Sequence, residues 1–174
     1  MDWQEKMFSI NDYVMYGSTG VCVIDDICVP GNGNENLCYI LHPVFTKNSV
    51  IYVPVSNEKV LMRKVISKDE ATGLLDIMPE GEPYNIQNRR EKELEYKRAL
   101  KSGKHVEWIR LVKTLYNKRQ ENGNGNFRQT FSETDRTLLC SAEKLLNGEL
   151  SVVLQIPFEK MGDYITSKLQ LGDS

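Results

Sequence analysis

Apolar and polar residues alternate along Phe8-Ser9-Ile10-Asn11-Asp12-Tyr13-Val14-Met15-Tyr16, the period of two that puts one face of a strand on a core. Gly17-Ser18-Thr19-Gly20 interrupts the pattern, and Val21-Cys22-Val23-Ile24-Asp25-Asp26-Ile27 resumes it as a β-branched run. Strand, glycine corner, strand is the signature of a tightly bent antiparallel pair, because a sharp corner calls for φ > 0 and glycine adopts that freely. Turn residues fill 30–36, then Leu37-Cys38-Tyr39-Ile40-Leu41 predicts a third strand. Lys47-Asn48-Ser49 turns the chain into a fourth strand, Val50-Ile51-Tyr52-Val53, which ends at Pro54. Proline lacks an N–H, so it belongs at a strand end or on a sheet margin. Val60-Leu61-Met62-Arg63-Lys64-Val65-Ile66 predicts a short fifth strand. Five short strands so spaced predict a small SH3- or Tudor-like barrel over residues 1–66.

Beyond Ile66 the period becomes helical. Residues 67–83 read as a short helical turn around Leu74, Leu75 and Ile77, then a linker broken by Pro79, Gly81 and Pro83. Residues 84–174 predict an all-α bundle of four helices. The first runs from an Asn88 cap to Ser102, with Gly103 suited to a left-handed stop. The second spans Val106–Gln120 and buries Ile109, Val112, Leu115 and Tyr116. Ser132-x-x-Asp135 resembles a capping box that opens a third helix, with Leu138, Leu139, Ala142, Leu145 and Leu146 inward and a stop at Asn147-Gly148. The fourth starts at Pro157 and buries Phe158, Met161, Tyr164 or Ile165, and Leu169. The predicted class is therefore α+β in two domains, a β-barrel followed by helices.

Charge sharpens this picture. The net charge is only −2, yet between Arg89 and Arg119 eleven basic residues face four acidic ones, so that stretch carries +7 and the rest of the chain −9. A cationic helical segment on an acidic protein points to an anionic partner, and phosphate neutralisation by such faces is what drives nucleic-acid binding. The plainer alternative is a solvated face. No apolar run is long enough to span a bilayer, and no leader-like amino terminus is seen, so a cytoplasmic, non-membrane protein is expected.

Candidate chemistry is sparse. Cys22, Cys28, Cys38 and Cys140 contain no Cys-x-x-Cys pair, so buried thiols are expected rather than a zinc site with His42. His42 and His105 have no acid at catalytic spacing in the sequence, and no phosphate-binding glycine loop precedes a helix. A Cys38–His42 nucleophile is the enzyme alternative, and it would need an exposed, electropositive thiol. No enzyme activity, metal or cofactor is expected.

Ile10-Asn11-Asp12-Tyr13-Val14-Met15-Tyr16, Gly20-Val21-Cys22 and Tyr52-Val53-Pro54 together resemble the CarD/CdnL family of bacterial transcription regulators, whose β module also occurs in the transcription-repair coupling factor. Arg89-Arg90, Leu100-Lys101-Ser102-Gly103, Ser132-x-x-Asp135-Arg136 and Leu145-Leu146-x-Gly148-Glu149-Leu150 extend the resemblance into the helices. It implies a Tudor-like module that lays Val50, Ile51, Tyr52 and Val53 against the RNA polymerase β subunit by strand addition. It also implies that Arg89, Arg90 and Arg136, supported by Lys97, Arg98 and Lys101, contact promoter DNA without reading sequence and stabilise the open complex. Family members wedge a tryptophan at the minor groove. Here Tyr84-Asn85-Ile86 occupies that stretch, which makes Tyr84 and Ile86 the candidate wedges. Trp108 is expected to pack internally. A protein-interaction adaptor without a DNA role is the competing reading. A monomer is expected, with a free strand edge leaving domain swapping open.

Overall fold

The computed structural model describes residues 8–31, 33, 35–123 and 130–171. The chain divides into two compact units, residues 1–65 and 66–174, and the architecture is mixed α+β.

The first unit is a five-stranded antiparallel sheet: β1 (Tyr13–Tyr16), β2 (Gly20–Cys28), β3 (Cys38–Pro43), β4 (Ile51–Pro54) and β5 (Met62–Lys64), in the order β4-β3-β2-β1-β5. The corner between β1 and β2 is a 3-10 turn over Gly17–Thr19, flanked by Gly17 at φ 45 and Gly20 at φ 90, the left-handed geometry expected of this Gly-rich corner. A bulge lies in β2 between Ile24 and Asp26, where the register to β3 shifts by one residue. The core face gathers Val14, Cys22, Ile24, Tyr39, Leu41 and Val53, with Phe8, Tyr16, Ile51 and Met62 packed around it.

Closure into a barrel is not what the strand pairing gives. The ladder ends at β4 on one side and at β5 on the other, which makes the sheet open. The two margins are only four and three residues long, and β4 terminates in a proline, which has no N–H to give.

The second unit contains α1 (Lys68–Ile77), α2 (Arg89–Lys101), α3 (His105–Gly123), α4 (Glu133–Leu154) and α5 (Phe158–Leu171). The segment read as a linker belongs to this unit. Ser67 and Glu70 close a capping box on α1, Ala71, Leu74 and Leu75 are buried, and a 3-10 turn follows over Met78–Glu80. Asn88 caps α2 by accepting the amides of Arg90 and Glu91, and Gly103 takes φ 69 after its end, as the sequence indicated. The Ser132–Asp135 capping box on α4 is likewise formed.

One boundary differs from expectation. α4 does not stop at Asn147-Gly148 but continues to Leu154, where Gln155 adopts the left-handed conformation at φ 56. Gly148, Glu149 and Leu150 are buried. Packing therefore outweighs the roughly 1 kcal/mol that a mid-helix glycine costs. Tyr96, Ala99, Leu111, Val112, Leu115, Leu138, Leu139 and Ala142 form the core among α2, α3 and α4, and Met161 and Ile165 bring in α5. Trp108 is 1% exposed and donates its indole N–H to the Leu100 carbonyl at 3.3 Å.

A strand margin and a basic helix face as candidate sites

Among the described residues β4 pairs with β3 alone, in the register Tyr39↔Val53 and Ile40↔Tyr52, so its far side carries no partner strand there. The Val55 amide donates to the Leu37 carbonyl at 2.9 Å. Antiparallel alternation from that bond turns the backbone groups of Val53 and Ile51 toward β3, and those of Tyr52 and Pro54 outward. The missing N–H of Pro54 thus falls on the outer side and forfeits no ladder bond. Side chains alternate on the perpendicular axis. Val53 is 1% exposed in the core and Ile51 leans on it, whereas Tyr52 at 55% and Val50 at 46% face solvent. Of the four residues proposed for this edge, Val50 and Tyr52 can offer side chains to a partner, while Ile51 and Val53 act through the fold.

The opposite margin is protected. β5 pairs with β1 through Met15↔Arg63, and its Lys64 forms an ion pair with Asp12 at 3.0 Å. Lysine on a margin discourages strand addition. The Ser9 amide first, and Lys64 after it, hold the Asp12 carboxyl below its usual range against the opposing effect of burial.

In the helical unit the six candidate DNA-contacting residues separate into two sets. Arg89 pairs with Glu93 at 3.4 Å, Arg98 with Glu95 at 2.6 Å and Arg136 with Glu133 at 3.3 Å. Arg90, Lys97 and Lys101 are exposed and make no ion pair among the described residues. Their spacing of seven and four residues lines them up on the face of α2 opposite the buried Tyr96 and Ala99, with Leu94, 53% exposed, between them. Arg136 lies on a different helix.

The two candidate wedges are unlike each other. Tyr84 is pinned in place: its amide donates to Thr114 Oγ1 at 2.8 Å, its hydroxyl donates to Glu107, and the Arg110 guanidinium lies 4.2 Å over its ring. Its ring also tilts against Tyr96 at 5.8 Å. Burial, followed by the Glu107 carboxylate, pushes the Tyr84 hydroxyl far above the usual tyrosine range, so it stays a proton donor. Ile86 is half-buried and has no comparable anchors among the described residues.

Sequence spacing missed the histidine partners. His105 Nε2 lies 2.7 Å from Glu149, 44 residues away in the chain, and His42 lies 3.5 Å from Asp25 on the neighbouring strand. Glu149 is wholly buried and also accepts the Ile66 amide at 2.9 Å. The motif Leu145-Leu146-x-Gly148-Glu149-Leu150 held a hint, since a charged residue inside an apolar helical stripe needs a buried partner. Cys22 and Cys38 are buried, Cys28 is intermediate and Cys140 is exposed.

The open margin, the glycine corner and the Val-Pro strand end all lie in one unit. Residues 8–66 match the CarD-like/TRCF RID domain family. The matched CarD-like/TRCF RID segment begins at Phe8 and contains every strand of the sheet, β4 included. No curated protein matches the chain.

Proposed function

We propose that this protein is a non-enzymatic bacterial transcription regulator of the CdnL type, working in the cytoplasm without a cofactor. In this reading its CarD-like/TRCF RID unit, a Tudor-like module, docks on the RNA polymerase β subunit. Its helices, acting as a bundle, touch promoter DNA without reading sequence and stabilise the open complex. The observation that carries it is the outer side of β4, unpartnered among the described residues and within the matched segment, with the Tyr52 backbone turned outward and Tyr52 and Val50 exposed. Strand addition there would draw affinity from main-chain hydrogen bonds and specificity from alternate side chains. Retention of the purified chain on an immobilised β lobe of RNA polymerase tests it. Tyr52→Pro, which deletes the outward N–H, should weaken retention at least about tenfold, the worth of roughly one well-made hydrogen bond. Tyr52→Ala keeps that N–H and should lose less. Equal retention of Tyr52→Pro and the parent chain would defeat strand addition.

For the DNA role, Arg90, Lys97 and Lys101 form the leading contact set, Arg89, Arg98 and Arg136 are secondary, and Ile86 is preferred to Tyr84 as a wedge. A second reading, an adaptor that binds protein but not DNA, is favoured by one observation: three of the six basic candidates already pair with glutamates on their own helices. Charge reversal of Arg90, Lys97 and Lys101 separates the two, because only the DNA reading requires promoter affinity and open-complex lifetime to fall.

A further inference from the structure

In the helical unit, the starts of α2 and α4 and the later half of α3 line a cleft of about 540 Å³. That volume falls within the range of small-molecule sites. Arg89 and Lys92 stand on the α2 side, Lys118 on the α3 side, and Ser132, Thr134 and Asp135 on the α4 side. Tyr96 lines it as well, and its hydroxyl is the one group there whose needs the fold leaves unmet. The Tyr96 ring is packed in the core and only 2% of the residue is exposed. Its hydroxyl nevertheless makes no hydrogen bond among the described residues, whereas the hydroxyl of the adjacent Tyr84 has Glu107. Among those residues no side-chain oxygen sealed from solvent lacks a partner, so the exposed sliver of Tyr96 includes this oxygen.

Asp135, the charge that acts on this hydroxyl, belongs to the cleft wall, which places the hydroxyl end of the ring on the cleft. Burial, followed by Asp135, pushes the Tyr96 hydroxyl up to about 12, so it keeps its proton and has it to donate. Asp135 does not take that proton, because Lys118 at 2.6 Å and the Ser132 amide and hydroxyl already occupy its carboxylate. A desolvated donor without an acceptor is costly until one arrives. The wall indicates the charge of that acceptor. Arg89, Lys92 and Lys118 outnumber Glu93 and Asp135, and the start of α4, a helix of 22 residues, adds the positive end of its dipole. Donors reach the cleft from three helices, and a phosphate monoester has three acceptor oxygens to meet them. A duplex carries its phosphates on the outside of a rod and cannot press one onto a hydroxyl this deep, whereas a small molecule can.

We propose that this cleft binds a small phosphorylated molecule, whose phosphate accepts from the Tyr96 hydroxyl and lies among Lys92, Lys118 and the start of α4. The site goes beyond the docking and promoter contacts proposed above. Of the residues named for those contacts only Arg89 touches its wall, and Tyr96 and Lys92 belong to neither.

Ribose 5-phosphate and its neutral counterpart ribose, titrated into the isotopically labelled full chain and followed by amide NMR, test the proposal. Ribose 5-phosphate should shift the resonances of Lys92, Tyr96 and Thr134 saturably at about millimolar concentration, as expected for so small a ligand. Ribose should bind at least about tenfold more weakly, and Tyr96→Phe, which removes only the oxygen, should cost the phosphate ester about the same factor, the worth of one charge-assisted hydrogen bond. Lys92→Gln should weaken it too, and gives an independent reading if Tyr96→Phe does not fold. A short DNA duplex serves as the second arm, and its affinity should not change on Tyr96→Phe. Equal affinity for the two sugars, absence of saturation, or undiminished binding by both variants would each overturn the proposal. An equal loss for the duplex would overturn it as well, because the phosphate would then come from DNA.

Discussion

His105 and Glu149 are joined across α3 and α4 by a 2.7 Å hydrogen bond, and the second carboxylate oxygen of Glu149 accepts the Ile66 amide at 2.9 Å. A wholly buried carboxylate thus ties together two helices and the first residue of the helical unit, with the Trp108 ring edge-on to the His105 imidazole at 5.3 Å. Such a group earns its place by satisfying its neighbours, since removing one member of a buried pair strands the others.

Glu149→Ala should therefore destabilise the chain by about 3 kcal/mol, because both the Ile66 N–H and His105 lose their acceptor inside the fold. Glu149→Gln keeps an acceptor for at least one of them and should cost about half as much or less. Urea denaturation of the full chain measures both, and equal losses would mean that the carboxylate charge, not its hydrogen bonds, holds the structure.

Acid stability depends on Asp135. Burial alone would raise its carboxyl, but the Lys118 ammonium at 2.6 Å and the Ser132 amide and hydroxyl outweigh burial and hold it below the ordinary 3.8. A folded-state pKa below the unfolded one adds stability that is complete above about pH 4 and fades as pH falls through the folded value. Asp135→Asn should remove about 2 kcal/mol at pH 7 and flatten the acid limb of the stability curve below about pH 4. Thermal melts from pH 2 to 7 read this directly, and parallel curves for variant and parent would refute it.

Gly17→Ala should destabilise the β unit by about 1–2 kcal/mol. Gly17 sits at φ 45, and a Cβ there would come within 2.6 Å of Val60 Cγ1, so both the backbone and the Val60 side chain must give way. Gly31 makes a fair control, because nothing lies within 4 Å of a Cβ built on it. Gly31→Ala should leave the midpoint of denaturation within about 0.5 kcal/mol of the parent.

Salt dependence distinguishes the two sets of basic residues. If Arg90, Lys97 and Lys101 each neutralise a phosphate, converting all three to Gln should lower the slope of log affinity against log salt by about 2–3. The same change at Arg89, Arg98 and Arg136 should lower it by about 1 or less, since those side chains already have carboxylate partners. A fluorescence anisotropy titration on duplex promoter DNA over a range of salt concentrations reads both.

Much of this architecture can be read from the residues, and the exceptions have common causes. Local signals did well: Asn88, Ser67 and Ser132 act through atoms three residues away or fewer, so caps and turns are legible without tertiary structure. The end of α4 was not, because Asn147-Gly148 is a stop signal only when exposed, and here Gly148 is packed inside. The margin position of β4 was suggested by Pro54, but the open sheet was not, since strand spacing says nothing about whether β4 and β5 meet. Charge counting found the cationic stretch yet could not separate Arg98 from Lys101. Which of them finds a glutamate depends on the helical phase of Glu95. The Glu149–His105 contact stayed hidden because spacing in sequence carries no information about partners 44 residues apart.

The register of β4 has a consequence for how this protein behaves in a crowded cell. An exposed strand is a hazard because each added copy can template the next. With Pro54 facing outward beside Tyr52, the margin has a single amide to offer over its length and cannot recruit an endless series of neighbours. The chain can thus keep one side permanently ready for a guest while remaining a poor seed for fibres.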